Sequence, residues 1–229
     1  MDIVAEQLFK KQKSVRKKRD SQKRKQLSET WLFICEGEKT EPNYIKTLVK
    51  YANEKTKVSH LKIKIVGTGL STVNLVNKAD ALMAAVDDFN IKTDIPYGKV
   101  FIVFDKDSFK DSDFNNAVSM AKARKNHFPI WSNECFELWY LLHYDYFDSD
   151  IGRDTYFKKL SEYLKIKNYE EKKSLDVFSQ IAEKTGIALK NADRLNGNYH
   201  DKIPPAKRVP STQMPILIRE LEERLKIVF

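Results

Sequence analysis

Cysteine is nearly missing from this chain: Cys35 and Cys135 are the only two among 229 residues. Two are too few for a disulfide framework and neither belongs to a C-x-x-C pair, so a packed core must hold the fold and the compartment is predicted to be reducing. Both lie in apolar runs and are predicted to be buried free thiols. No run approaches the roughly 18 apolar residues of a membrane helix, and the N-terminus carries no apolar segment of a secretory signal. The expectation is a cytoplasmic protein with no membrane attachment. A Walker A sequence is missing too. "GTGLST", residues 67–72, has two glycines but not the G-K-[ST] ending, which leaves only the weaker option of a phosphate at the N-terminus of the helix that follows. Histidine offers no metal pair. His143 follows Glu137 by six residues, which is not a one-face helical spacing, and reads as a helix-end histidine. His60 and His127 have no partner at ligand spacing, and His200 sits in a polar loop.

Aromatic residues are plentiful, with 13 Phe, 10 Tyr and 3 Trp, which excludes a disordered chain. Trp31, Trp131 and Trp139 are predicted to lie in the core. The net charge is +9, and its distribution is uneven. "KKQKSVRKKRDSQKRK", residues 10–25, holds ten basic residues and one acid, which is the whole excess; the rest has 31 of each sign. A basic arm on a neutral body suits an electrostatic tether for a polyanion, RNA or DNA. Lys17, Lys18, Arg19 and Arg24 are its candidate contacts.

Periodicity predicts an α/β fold. Residues 31–35 and 99–104 are apolar throughout, as strands buried on both faces are. Residues 61–66 alternate apolar residues with lysines, as a half-exposed edge strand does. "FPIWS" reads as a short fourth strand. Helices are predicted over 42–54, 72–88, 111–126 and "NECFELWYLLHY". Strand and helix alternate as in a mostly parallel sheet flanked by helices. After residue 150 the pattern becomes helical, over 154–166, 174–194 and 211–227, with no convincing strand. The organisation expected is a weakly ordered arm at 1–29, an α/β core at 30–150 and a C-terminal helical part at 151–229 packed on it. A long polar loop, 197–212, carries Lys207 and Arg208 ahead of Ser211, a candidate backbone-phosphate contact.

Carboxylates follow two of the buried strands. "WLFICEGEKTEPNY" puts Glu36, Glu38 and Glu41 after the first; "FIVFDKDSF" puts Asp105 and Asp107 after the third. Ligands of open α/β sheets bind outside the carboxyl ends of the strands. If these two strands are neighbours, Glu36, Asp105 and Asp107 converge. Three carboxylates in close company need a proton or a divalent cation among them, and oxygen-only donors suit Mg2+ or Mn2+ rather than zinc. Capping or turn formation is the plainer alternative for each acid taken singly. Lys39 could meet a phosphate, and Lys106 could face either way.

The blocks "ICEGEKTEPNY", "VFDKD", "SNECFELWYLLHY" and "RVPSTQMPILIREL" resemble the RloB family, found with bacterial restriction and abortive-infection loci. The resemblance spans roughly residues 30–225. It implies a Toprim-like fold and a Mg2+- or Mn2+-dependent nuclease of anti-phage defence, acting on RNA or DNA. Within it Glu36 is the catalytic acid/base or a metal ligand, and Asp105 and Asp107 are metal ligands. Gly37 lets backbone approach a phosphate. Glu41 and Glu137 are further candidate metal ligands; Glu137, with Asn133, belongs to a block whose role the resemblance leaves open. Any ATP-driven step would come from a separate defence ATPase, and a non-catalytic nucleic-acid-binding partner of such an ATPase is the competing reading. Strand breakage and rejoining would need a tyrosine nucleophile, and no tyrosine is placed for it. The oligomeric state stays open.

Overall fold

The computed structural model describes residues 13–14, 16–19, 30–58, 60–87, 97–172 and 174–229. Strand β1 (Thr30–Cys35) is followed by helix α1 (Thr40–Lys55), β2 (Lys62–Gly67), α2 (Thr72–Asp87), β3 (Lys99–Asp105), α3 (Asp111–Lys122) and β4 (His127–Asn133). The sheet order is β2-β1-β3-β4-β5, parallel except for the last strand. The α/β rhythm expected from the sequence is therefore the one observed. β2 lies at the sheet edge, with Lys62 and Lys64 exposed. Charged side chains there discourage pairing with another chain.

Strand side chains alternate between the two faces, and the core divides accordingly. Trp31, Phe33, Cys35, Phe101 and Val103 belong to one cluster; Leu32, Ile34, Val100, Ile102 and Phe104 belong to the other. On the first face Phe33 stacks on Phe101 at 4.9 Å and Phe101 on Phe128 at 5.1 Å. These three residues stand directly opposite one another across β1, β3 and β4. The stack fixes the register, since a one-residue slip would turn every apolar side chain to the wrong face.

The C-terminal part closes over the first face. Helices α4 (Glu137–Leu141), α5 (Arg153–Tyr163), α6 (Phe178–Ile181), α7 (Thr185–Asn196) and α8 (Met214–Leu225) contribute Trp139, Tyr156, Leu160, Phe178, Ala188, Leu217 and Leu221 to the same cluster as β1 and β3. Each such large apolar side chain contributes about 1.5–3 kcal/mol by leaving water. The predicted 174–194 helix is broken. Asp176 accepts the Ser179 N–H and so starts the helix late, and a 3-10 turn at Ala182–Lys184 divides it.

The expected absence of a C-terminal strand is corrected. Ser211 and Thr212 form β5, antiparallel to β4, and α8 begins only at Met214, with Pro215 in its first turn. Ser211 is fully buried and its hydroxyl donates to Asn196 Oδ1 at 2.8 Å. It therefore cannot meet a phosphate from solvent. Arg208 is likewise engaged within the chain, donating to the carbonyls of Ile203 (2.8 Å) and Asp201 (3.2 Å). Lys207 is exposed and pairs with Asp111 at 2.7 Å. The 197–212 loop is in large part a structural buttress: Ala206 accepts from Asn133 Nδ2 and donates to Asn115 Oδ1. In the arm, Lys17, Lys18 and Arg19 are helical and exposed; Arg24 lies outside the described residues.

Candidate metal centre

The condition that the sequence left open is met: β1 and β3 are parallel neighbours. Their pairing runs one residue beyond β1, where the Glu36 N–H donates to Val103 O at 2.9 Å. Glu36 Oε2 in turn accepts the backbone N–H of Asp105 at 3.3 Å. The first acid is thereby fastened to the backbone of the second. From the other side, the end of β4 carries the turn that follows β3. Lys106 N–H donates to Ser132 O at 2.9 Å and Asp107 N–H to Glu134 O at 3.0 Å. Asp107 has a φ of 40°, in the left-handed region that costs most residues but that Asp tolerates.

These elements enclose a cleft of about 420 Å³ lined by Glu36, Glu38, Glu41, Asp105, Asp107 and Glu137, together with Lys39 and Arg153. Six acids thus face two bases. Glu41 and Glu137 are almost fully buried. Each stands in the first turn of its helix, α1 and α4, where negative charge is favoured by the helix dipole. Gly37 makes room for Glu41: a Cβ there would lie 2.1 Å from Glu41 Oε2.

The acids act on one another. Burial first, then the charges of Glu41 and Asp107, push the Glu36 carboxyl up to about 7, while the Asp105 N–H and Arg153 oppose the rise. Burial and the charges of Glu41, Glu137 and Glu36 hold Asp105 well above the ordinary aspartate range. Burial also raises both thiols, as expected of inert buried cysteines.

The structure brings Glu36, Lys39, Glu41, Asp105, Asp107 and Glu137 to one cleft. It leaves Lys106 out, since Lys106 Nζ turns to Phe109 O and Asp111. Asn133 is buried against Ala206 O. His143 is buried, with Nδ1 against Trp139 O at 2.8 Å and a pKa lowered to about 4 by burial. Among the described residues, no group of three His, Cys, Asp or Glu side chains stands closely enough to hold a metal ion. The donor set itself is all oxygen, which fits a hard cation such as Mg2+ or Mn2+.

Sequence reasoning missed Arg153. Its Nη1 donates to Asp107 Oδ2 at 2.6 Å; burial works to lower its pKa, but the bond to Asp107 and the charges of Asp107 and Glu137 outweigh it and raise the pKa. It lies 46 residues from Asp107, and no motif joins the two. The usable signal was an arginine directly after a glycine at a predicted helix start, where a cation is disfavoured by the dipole.

No curated protein and no solved structure matches the chain. A family model, described as RloB-like protein, matches residues 31–221, a span that includes all six acids and both bases of the cleft. The chain belongs to the RloB-like family.

Proposed function

We infer that this protein is a divalent-cation-dependent phosphodiesterase acting on nucleic acid. One observation carries the reading: six carboxylates and two cations line one cleft at the carboxyl ends of two parallel strands, where Glu36 and Asp105 are held above their ordinary pKa. Such a cleft costs the fold stability unless protons or cations compensate it. Glu36, Asp105 and Asp107, with Glu41 and Glu137 from the flanking helices, would hold Mg2+ or Mn2+. Bound there, the ion would neutralise charge building on the phosphate and ease ionisation of the attacking water.

The chain's own groups divide the remaining work. Glu36, whose carboxyl is held at about 7 without a metal, would be ionised by a bound ion and would then accept a proton from the attacking water. Lys39, exposed at the cleft mouth, offers a positive charge to a substrate phosphate. The basic arm supplies sequence-independent attraction for the nucleic-acid backbone. A Toprim-like nuclease role in anti-phage defence, with a separate defence ATPase as partner, agrees with the arrangement of an acid after β1 beside a D-x-D after β3. It rests on the resemblance of the sequence blocks.

The test is cleavage of labelled RNA and DNA by the whole protein with Mg2+, with Mn2+ and with EDTA. D105N should lose activity by on the order of a hundredfold or more while melting no lower than wild type. If wild type cuts neither polymer with either metal, yet binds them, the chain is a binding partner and the enzymatic reading fails.

A further inference from the structure

We propose that Arg153 is an exchangeable cation of the acid cleft: it occupies Asp107 in this arrangement, and a divalent ion that claims Asp107 releases the guanidinium to take a substrate phosphate. The proposal rests on the metal-dependent reading above and deepens it.

The placement of Arg153 needs explaining. It is the first residue of α5, at the positive end of an 11-residue helix, where a cation is disfavoured. The preceding Gly152 has a φ of 74° and nothing within 4 Å of where a Cβ would be, so its requirement is conformational: it turns the chain into the helix at this point. Two partners hold the side chain in place. One is Asp107, at 2.6 Å. The other is the Phe157 ring one turn along α5, 5.6 Å from the guanidinium carbon, a cation–π contact.

The two contacts differ in permanence. Side-chain exposure is 35% for Arg153 and 41% for Asp107, and a pair so open to water is held by only about two- to fivefold in equilibrium terms. A doubly charged ion within the same set of acids outcompetes it. The Phe157 contact does not involve the acids and survives the exchange. A guanidinium resting on that ring keeps its planar fork of donors at the cleft wall, a geometry that matches two phosphate oxygens. Asp107 is the natural point of exchange. Its backbone is fixed by the bond to Glu134 O, so the side chain can change partner without moving the turn.

The test uses the full-length protein and Mn2+ as the probe. Calorimetry should show R153A binding Mn2+ about three- to sixfold tighter than wild type, because the competing cation is gone, while R153K stays close to wild type. In the presence of Ca2+, R153A should bind a single-stranded oligonucleotide several-fold more weakly than wild type. Unchanged or weaker Mn2+ binding by R153A overturns the exchange. Should R153A fail to fold, the wild type decides alone: Mg2+ titration followed by NMR of arginine Nε–H groups, with R153K for assignment, must shift the Arg153 signal, and a static signal overturns the proposal. If neither wild type nor R153A binds Mn2+, the metal-dependent reading has failed as well, which separates that failure from one confined to Arg153.

Discussion

E36Q should make the metal-free protein more stable at alkaline pH. The Glu36 carboxyl rises from an ordinary 4.5 to about 7, chiefly through burial. A group raised in this way binds its proton more tightly folded than unfolded, so the wild type carries a penalty that is absent below about pH 4.5, grows between 4.5 and 7, and is complete above 7. Taken in full, the shift corresponds to roughly 3 kcal/mol. The cleft is open to water, and screening brings the net to about 1–2 kcal/mol. Glutamine keeps the shape and can still accept the Asp105 N–H through its carbonyl. For a chain of this size the gain is a melting temperature higher by about 2–8 °C at pH 8 in EDTA, read by differential scanning fluorimetry across pH 4 to 8. On the proposed reading, saturating Mn2+ should stabilise wild type more than E36Q and narrow the gap, because an ion held by the folded cleft alone favours the folded state. An E36Q protein that melts at or below wild type at pH 8 in EDTA would refute the claim that the cleft is electrostatically strained.

Four further outcomes are expected. G67A should cost about 1–3 kcal/mol by urea denaturation, since the new Cβ meets backbone at 2.8 and 2.9 Å (Glu38 Cα and Gly37 O); in G37A the three atoms nearest the new Cβ all belong to the Glu41 carboxylate, so it should cost less stability and weaken Mn2+ binding instead. R208A should cost about 1–2 kcal/mol through two lost charge-assisted bonds to carbonyls, whereas K207A should leave the melting temperature unchanged. His143 is buried neutral with its pKa lowered from 6.5 to about 4, so it weakens the fold as pH falls from 6.5 toward 4, and H143Q should flatten that limb of the stability–pH curve by up to about 3 kcal/mol. Replacing Lys17, Lys18, Arg19 and Arg24 by Gln should reduce the slope of log K against log salt by about 3–4 for duplex DNA, measured by fluorescence anisotropy.

Long-range placement separates what the sequence discloses from what it hides. Apolar runs of five to seven residues and the alternation of Lys62, Ile63, Lys64 and Ile65 are local signals, and the parallel strands stand where they indicate. The acid after β1 and the D-x-D after β3 were legible because each is tied to a strand end, and strand neighbourhood alone was needed to join them. β5 was hidden for an opposite reason. Two residues cannot display a period, and Ser211 and Thr212 have the composition of a helix cap. Their burial comes from partners far away: Thr212 faces Ser132 at 2.9 Å, and Asn196 Nδ2 donates to Thr212 O. The basic loop misled in the same way, because a guanidinium satisfied by its own chain's carbonyls has the same letter as one awaiting a phosphate. Arg153 was harder to find because its place at a helix start gives only a weak local signal, and its ion-pair partner Asp107 lies 46 residues away.

Charge is segregated in this molecule, and the segregation constrains any mechanism. The excess of nine positive charges lies in residues 10–25, while the cleft presents six acids to two bases. A nucleic-acid backbone drawn in by the arm would therefore meet repulsion at the site where its phosphate should react. Protonation relieves part of it, through Glu36 near pH 7 and through Asp105, whose carboxyl is held well above the ordinary aspartate range by burial and the neighbouring acids, but a protonated carboxyl cannot also serve as the base. On the proposed reading, a divalent ion would resolve both difficulties together, since it would attract the phosphate and restore the carboxylates to their ionised form. The aromatic stack of Phe33, Phe101 and Phe128 enters the same argument, because it sets the register that delivers Glu36 beside Asp105. A core substitution that loosens that stack should therefore weaken Mn2+ binding before it unfolds the protein.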